Sequence, residues 1–112
     1  MEGSSALSST LGRISIASEV IAQIVAHVTA EAYGVVGMAG RGLARLRGRR
    51  AIEIRRDGDQ VAIDLHVVVE YGLNLAEVAS TLRNRVAYEV ERLTGLRVAV
   101  VEVHIEDVRR SA

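Results

Sequence analysis

The sequence predicts an α+β domain, a two-layer sandwich with two helices on one face of a small mixed sheet. Three observations predict it: two apolar stripes at helical spacing, one long strand with strict alternation, and a Gly-centred turn that pairs this strand with the one before it. The element order is (β)αββαβ. The 112 residues fit one domain, with enough chain to bury a modest core.

The first eleven residues, Met1 to Leu11, are Ser-rich and carry Glu2 where a signal peptide would carry basic residues. They read as a flexible tail, so the domain is expected over residues 12–108, with a short C-terminal tail at 109–112. Gly12-Arg13-Ile14-Ser15-Ile16 alternates and suits a short strand. Ser18 is the expected N-cap of the first helix, and Glu19 places a carboxylate where the helix dipole favours it. Val20, Ile21, Ile24, Val25 and Val28 form its apolar face, and Gly34 and Gly37 stop it. The segment from Gly37 to Arg50 is rich in Gly and Arg and reads as a loop.

Ile52 and Ile54 alternate with charges, and Asp57-Gly58-Asp59 supplies a hairpin turn. In the long strand after it, Val61, Ile63, Leu65, Val67, Val69 and Tyr71 point one way. Ala62, Asp64, His66, Val68 and Glu70 point the other. Asn74-Leu75-Ala76-Glu77 is a capping-box pattern that opens the second helix. Its stripe runs through Leu75, Val78, Ala79, Leu82, Val86, Val90 and Leu93, and Gly95 stands at the left-handed C-cap position. The last strand, Leu96 to Val108, changes phase near Val100-Val101, which predicts a bulge there. A strand–helix–strand crossover makes the strands at 60–71 and 96–108 parallel.

Composition narrows the function. Cysteine is absent, so disulfides, thiolate metal sites and cysteine nucleophiles are excluded. Trp and Phe are absent and there are only three Tyr, which leaves few rings on which bases could stack. Net charge is zero, but all fourteen basic residues are Arg and seven lie between Met38 and Arg56. A basic patch on a neutral chain points to one anionic contact. No apolar run reaches the roughly 20 residues of a membrane helix.

Gly12-Arg13-Ile14, Ser18-Glu19-Val20-Ile21 and Gly34-Val35-Val36-Gly37-Met38 follow one another in an order that carries a family likeness. Glu70-Tyr71-Gly72 extends it, as do Thr94-Gly95-Leu96-Arg97-Val98 and Val101-Glu102-Val103-His104-Ile105. Over about residues 12–108 the chain resembles the alkaline shock, or envelope stress response, family of Gram-positive bacteria. The resemblance implies a small cytoplasmic protein of cell-envelope homeostasis that self-associates and sits beneath the membrane through an anchored protein partner. It supplies no catalytic residue and no cofactor.

Among candidate sites, Arg41, Arg45, Arg47, Arg49 and Arg50 could grip an anion or an acidic partner, because guanidinium forks match phosphate and carboxylate geometry. The plain alternative is a solvated loop. Gly34-Val35-Val36-Gly37 and Gly37-Met38-Ala39-Gly40 both spell G-x-x-G, but the nucleotide-clamping loop of KH domains joins two helices, and this one does not. Val68 and Ala99 stand on the polar side of the sheet as candidate oligomer-interface residues. His66 and His104 share that side with Asp64, Glu70, Glu102 and Glu106. Two histidines with carboxylates are a metal-ligand inventory, but nothing in the sequence fixes the strand register, so no metal site is expected. His27 edges the first helix's stripe. No serine occupies a strand-to-helix elbow. The expected function is a non-catalytic scaffold that self-associates and docks on a partner, without a small-molecule substrate. A nucleic-acid module built on the loop at 41–50 is the alternative.

Overall fold

The computed structural model describes residues 4–9, 11–38 and 51–110, and the fold agrees with the predicted class: two helices on a mixed sheet. Strand β1 (Ser4–Ser9) pairs antiparallel with β2 (Gly12–Ala17) as a separate two-stranded ribbon. Helix α1 (Ser18–Glu31) leads to β3 (Val35–Met38). Next come β4 (Ile52–Asp57), β5 (Gln60–Glu70), α2 (Leu75–Thr94) and β6 (Arg97–Arg109).

Strand β5 is the axis of the main sheet. Along one edge, β4 pairs antiparallel with Gln60–Leu65 and β3 pairs antiparallel with Val67–Val69, so the two short strands share one lane end to end. The Glu70 amide donates to the Gly34 carbonyl (2.8 Å) and the His66 amide to the Ala51 carbonyl (2.8 Å), which carries that lane past and between the two strands. Along the other edge lies β6, parallel to β5 as the crossover predicted.

The core follows from the alternation of β5. Val61, Ile63, Leu65, Val67 and Val69 are all buried beneath the helices. From α1 they meet Ile21, Val25 and Val28, and from α2 they meet Val78, Leu82, Val86 and Val90. Each fully buried aliphatic side chain contributes roughly 1.5–3 kcal/mol. With no Phe or Trp available, this layer of Val, Ile and Leu is what drives folding.

Both ends of α2 match the sequence pattern. The Asn74 Oδ1 accepts from the Glu77 amide (3.0 Å), and Gly95 turns left-handed (φ 77°) with its amide on the Glu91 carbonyl (2.9 Å). Both groups satisfy helix-end atoms that would otherwise lack partners.

Five local expectations are corrected. The expected N-terminal tail contains β1, which pairs with β2 from Ser9 opposite Gly12 to Ser4 opposite Ala17. Ser18 is the first helical residue and Ala17 is the cap; the Ser18 hydroxyl accepts from Arg56 instead of capping (3.1 Å). The expected loop from Gly37 begins as a strand, since the free lane beside Val67–Val69 offers backbone partners to Val35–Met38. Tyr71 lies beyond the end of β5, is exposed, and stacks under the Arg110 guanidinium (4.6 Å). In β6 the extra residue is Ala99, one position before the expected phase change, and a second extra residue, Glu106, was not foreseen.

Candidate functional site

The helices cover the odd face of β5, which leaves its even residues on the opposite face. Ala62, Asp64, His66, Val68 and Glu70 lie there. The hairpin register places Glu53 opposite Asp64 and Arg55 opposite Ala62. The parallel register places Glu102 beside Asp64 and His104 beside His66. Three strands therefore deliver their polar residues to one small area.

The two imidazoles stack, with ring centroids 4.5 Å apart and planes 12° from parallel. Each ring has its own carboxylate. His66 Nδ1 meets Glu106 Oε2 at 2.7 Å. His104 Nε2 lies 3.4 Å from Asp64 Oδ1 and 3.8 Å from Glu102 Oε1. The bulge explains the first of these contacts, because Glu106 is the residue inserted between Ile105 and Asp107.

Asp64 is the floor of the cluster. Its side chain is 11 % exposed, covered by its neighbours on the sheet, while Glu102 and His104 stand in solvent at 57 % and 43 %. Arg55 donates to Asp64 Oδ2, leaving Oδ1 toward His104. That charged hydrogen bond is the main reason the Asp64 carboxyl is held below its ordinary range; burial opposes it, and contacts to His104 and Glu102 add to it. Asp64 is consequently ionised at neutral pH. Arg55 is the participant that sequence reasoning missed, although the turn at Asp57-Gly58-Asp59 sets the register that faces it toward Asp64.

The remaining candidates separate. Arg41, Arg45, Arg47, Arg49 and Arg50 lie outside the described residues. Val68 is 6 % exposed, buried on the face away from the helices, whereas Ala99 is exposed at the first bulge. Six residues of strand separate the two levels, roughly 20 Å, so they do not form one patch. Ala99 borders an open groove of about 670 Å³ between α2 (Ala79, Arg83, Asn84, Ala87) and the run from Val98 to His104. His27 is exposed beside Glu31, far along α1 from the sheet cluster. Among the described residues no helix is long and apolar enough to cross a membrane.

Comparison with known proteins agrees with this fold. Solved structures of the MamM CTD match with a TM-score of 0.54 at 16 % identity, covering 80 % of this chain and 94 % of that one. A further MamM CTD structure, described as a zinc form, matches with a TM-score of 0.52 at 14 % identity. At these identities the likeness concerns the fold alone.

Sequence relatives are closer. The uncharacterized protein YloU of Bacillus subtilis is 34 % identical over 107 residues, covering 88 % of this chain and 89 % of YloU. A stress response regulator gls24 homolog of Streptococcus pyogenes is 30 % identical over 106 residues, and the matched part is 59 % of its length. A family model described as having cell envelope-related function matches residues 6–110. With nearly the whole domain matched, the chain belongs to the alkaline shock protein 23 family.

Proposed function

We propose that this chain is a non-catalytic interaction protein of the envelope stress type, which self-associates and docks on a protein partner beneath the membrane. The observation that carries this reading is β6. It has thirteen residues, and among the described residues it pairs on one side only. Its other side opens on the groove against α2. A long strand edge presents a row of backbone donors and acceptors, and another strand can satisfy them. A second copy of the chain is the occupant we favour, since a two-fold axis lets one edge complete its own partner. Exposed Val100 and Val108 add apolar area beside that edge. The name of the gls24 homologs speaks for regulation and stress response, not for a reaction.

Sedimentation velocity and light scattering over a wide concentration range test self-association. The wild type is expected to form a dimer or larger species, and a variant with Ala99→Arg and Val100→Arg is expected to be monomeric. Both side chains are exposed, so the core stays intact. A wild type that stays monomeric at every concentration refutes this half. For docking, the native protein is recovered from membrane and soluble fractions beside a variant carrying Arg45→Glu, Arg47→Glu, Arg49→Glu and Arg50→Glu. Envelope-associated proteins recovered with the wild type support the reading. RNA recovered with the wild type and lost from the variant overturns it.

A further inference from the structure

We propose that the open sheet face carries a site for a divalent transition-metal ion, held by Asp64, Glu102 and His104. The ligand atoms of these three residues all lie within 4.8 Å of one another. Ligands held about 2.0–2.1 Å from a tetrahedral zinc ion sit about 3.3 Å apart. His104 Nε2 is 3.4 Å from the Asp64 oxygen and 3.8 Å from the Glu102 oxygen, so these two spacings need only a small contraction around an ion, and the two carboxylates close from within 4.8 Å of each other.

The site is built by backbone pairing. Asp64 and Glu102 are register partners across β5 and β6, and His104 is two residues further along β6 on the same face. No loop has to move to assemble it. One carboxylate is the covered floor and the other two ligands are open to solvent, which gives an ion both an anchor and an entry path. Water would complete the coordination.

Neighbouring groups favour a cation on balance. Arg55 occupies Asp64 Oδ2 and fixes the carboxylate, so Oδ1 remains for the ion. Its positive charge weakens binding, but Glu53 and Glu106 outnumber it beside the ligands. His66 stacks on His104 and is itself tethered to Glu106, which holds the ligand ring in place. One imidazole with two carboxylates suits zinc, nickel or copper better than magnesium, which prefers an all-oxygen octahedron. The inference does not depend on self-association.

The test uses untagged, full-length protein stripped with chelator and titrated with zinc chloride by calorimetry, with magnesium chloride as the hard-cation control. One zinc per chain is expected, with no binding of magnesium. His104→Ala and Asp64→Ala are each expected to weaken zinc binding about tenfold or more. His27→Ala, at an exposed histidine elsewhere, is expected to leave it unchanged. Should a site variant fail to fold, imidazole-nitrogen NMR of the wild type still decides: on zinc addition the His104 Nε2 resonance moves and the His27 resonances do not. No zinc uptake, wild-type affinity in a folded His104→Ala variant, or an equal shift at His27 overturns the proposal.

Discussion

Replacing Gly34 by Ala should destabilise the domain by about 2–5 kcal/mol, through two causes that can be measured apart. Gly34 has φ 85°, and a Cβ there costs about 1–2 kcal/mol in backbone strain alone. The new methyl would also lie 2.9 Å from Leu73 Cδ1 and 2.9 Å from Val78 Cγ2. Val78 is buried and β-branched on a helix, so its rotamer cannot simply turn away. Nor can the backbone retreat freely, because the Gly34 carbonyl accepts the Glu70 amide that extends the lane of β3. Overpacking of this kind costs about 1–3 kcal/mol. The sum is a large part of the roughly 5–15 kcal/mol that holds a domain together. Gly58 is the internal control: its φ is also positive, at 65°, but among the described residues nothing lies within 4 Å of an added Cβ. Thermal unfolding followed by circular dichroism should place Gly58→Ala several degrees below wild type and Gly34→Ala roughly 8–20 °C below it. If Gly34→Ala loses no more than Gly58→Ala, the packing half of this reasoning is wrong.

Thr94→Val removes a buried hydroxyl that donates to the Val90 carbonyl (2.6 Å) and accepts from the Leu96 amide (3.1 Å). With the Leu96 amide left unpaired in the interior, the urea midpoint should fall by the equivalent of about 1–3 kcal/mol, and an unchanged midpoint counts against the bond. The lowered carboxyl of Asp64 stabilises the fold above its unfolded value of 3.8, and this contribution is lost as pH falls through the lower folded value. Asp64→Asn should therefore be less stable than wild type at neutral pH and converge with it in acid; parallel pH–stability curves would refute the assignment. Arg56 Nη1 joins β4 to the β2–α1 junction through the Ile16 carbonyl (3.0 Å) and the Ser18 hydroxyl (3.1 Å). Among the described residues its Nε and Nη2 are buried without partners, so Arg56→Met should leave global stability nearly unchanged. Amide exchange in Gly12–Ala17 should nevertheless quicken about fivefold, the equivalent of about 1 kcal/mol after allowance for solvent screening; equal exchange in both proteins would show that Arg56 does not anchor the junction.

Most of the fold is legible in the sequence because its strongest signals are local. The alternation of Val61 to Val69, the Asn74 cap, the Gly95 stop and the turn at Gly58 each report a conformation within a few residues. The corrections fall where a segment's state is decided by something distant. Val35–Met38 becomes a strand only because β4 leaves part of β5's edge unpaired. Ser4–Ser9 becomes a strand only because β2 is there to receive it. Ser18 looks like a cap, but Arg56, thirty-eight residues away, takes its hydroxyl. Local preference and tertiary pairing compete at each of these positions, and pairing decides.

The candidate site shows how the same limit reaches into chemistry. Alternation alone puts Asp64, His66, Glu102 and His104 on one side of their strands, and it cannot say whether they meet. A shift of one residue in β6 would turn His104 toward the core and bring Val103 or Ile105 beside His66. Two inserted residues decide the matter. Ala99 resets the phase, so that Val101, Val103 and Ile105 face the helices while Glu102 and His104 face outward. Glu106 then sits in the second bulge, where it reaches His66. The first bulge keeps Val101, Val103 and Ile105 on the core side, whereas an unbroken β6 would turn them outward. Both bulges supply aim: the stacked imidazoles and the three-residue cluster follow from the first break in alternation, and the Glu106 contact to His66 from the second. Deleting Ala99 would therefore test the cluster and the core together, whereas substituting His104 or Asp64 tests the cluster with the register left in place.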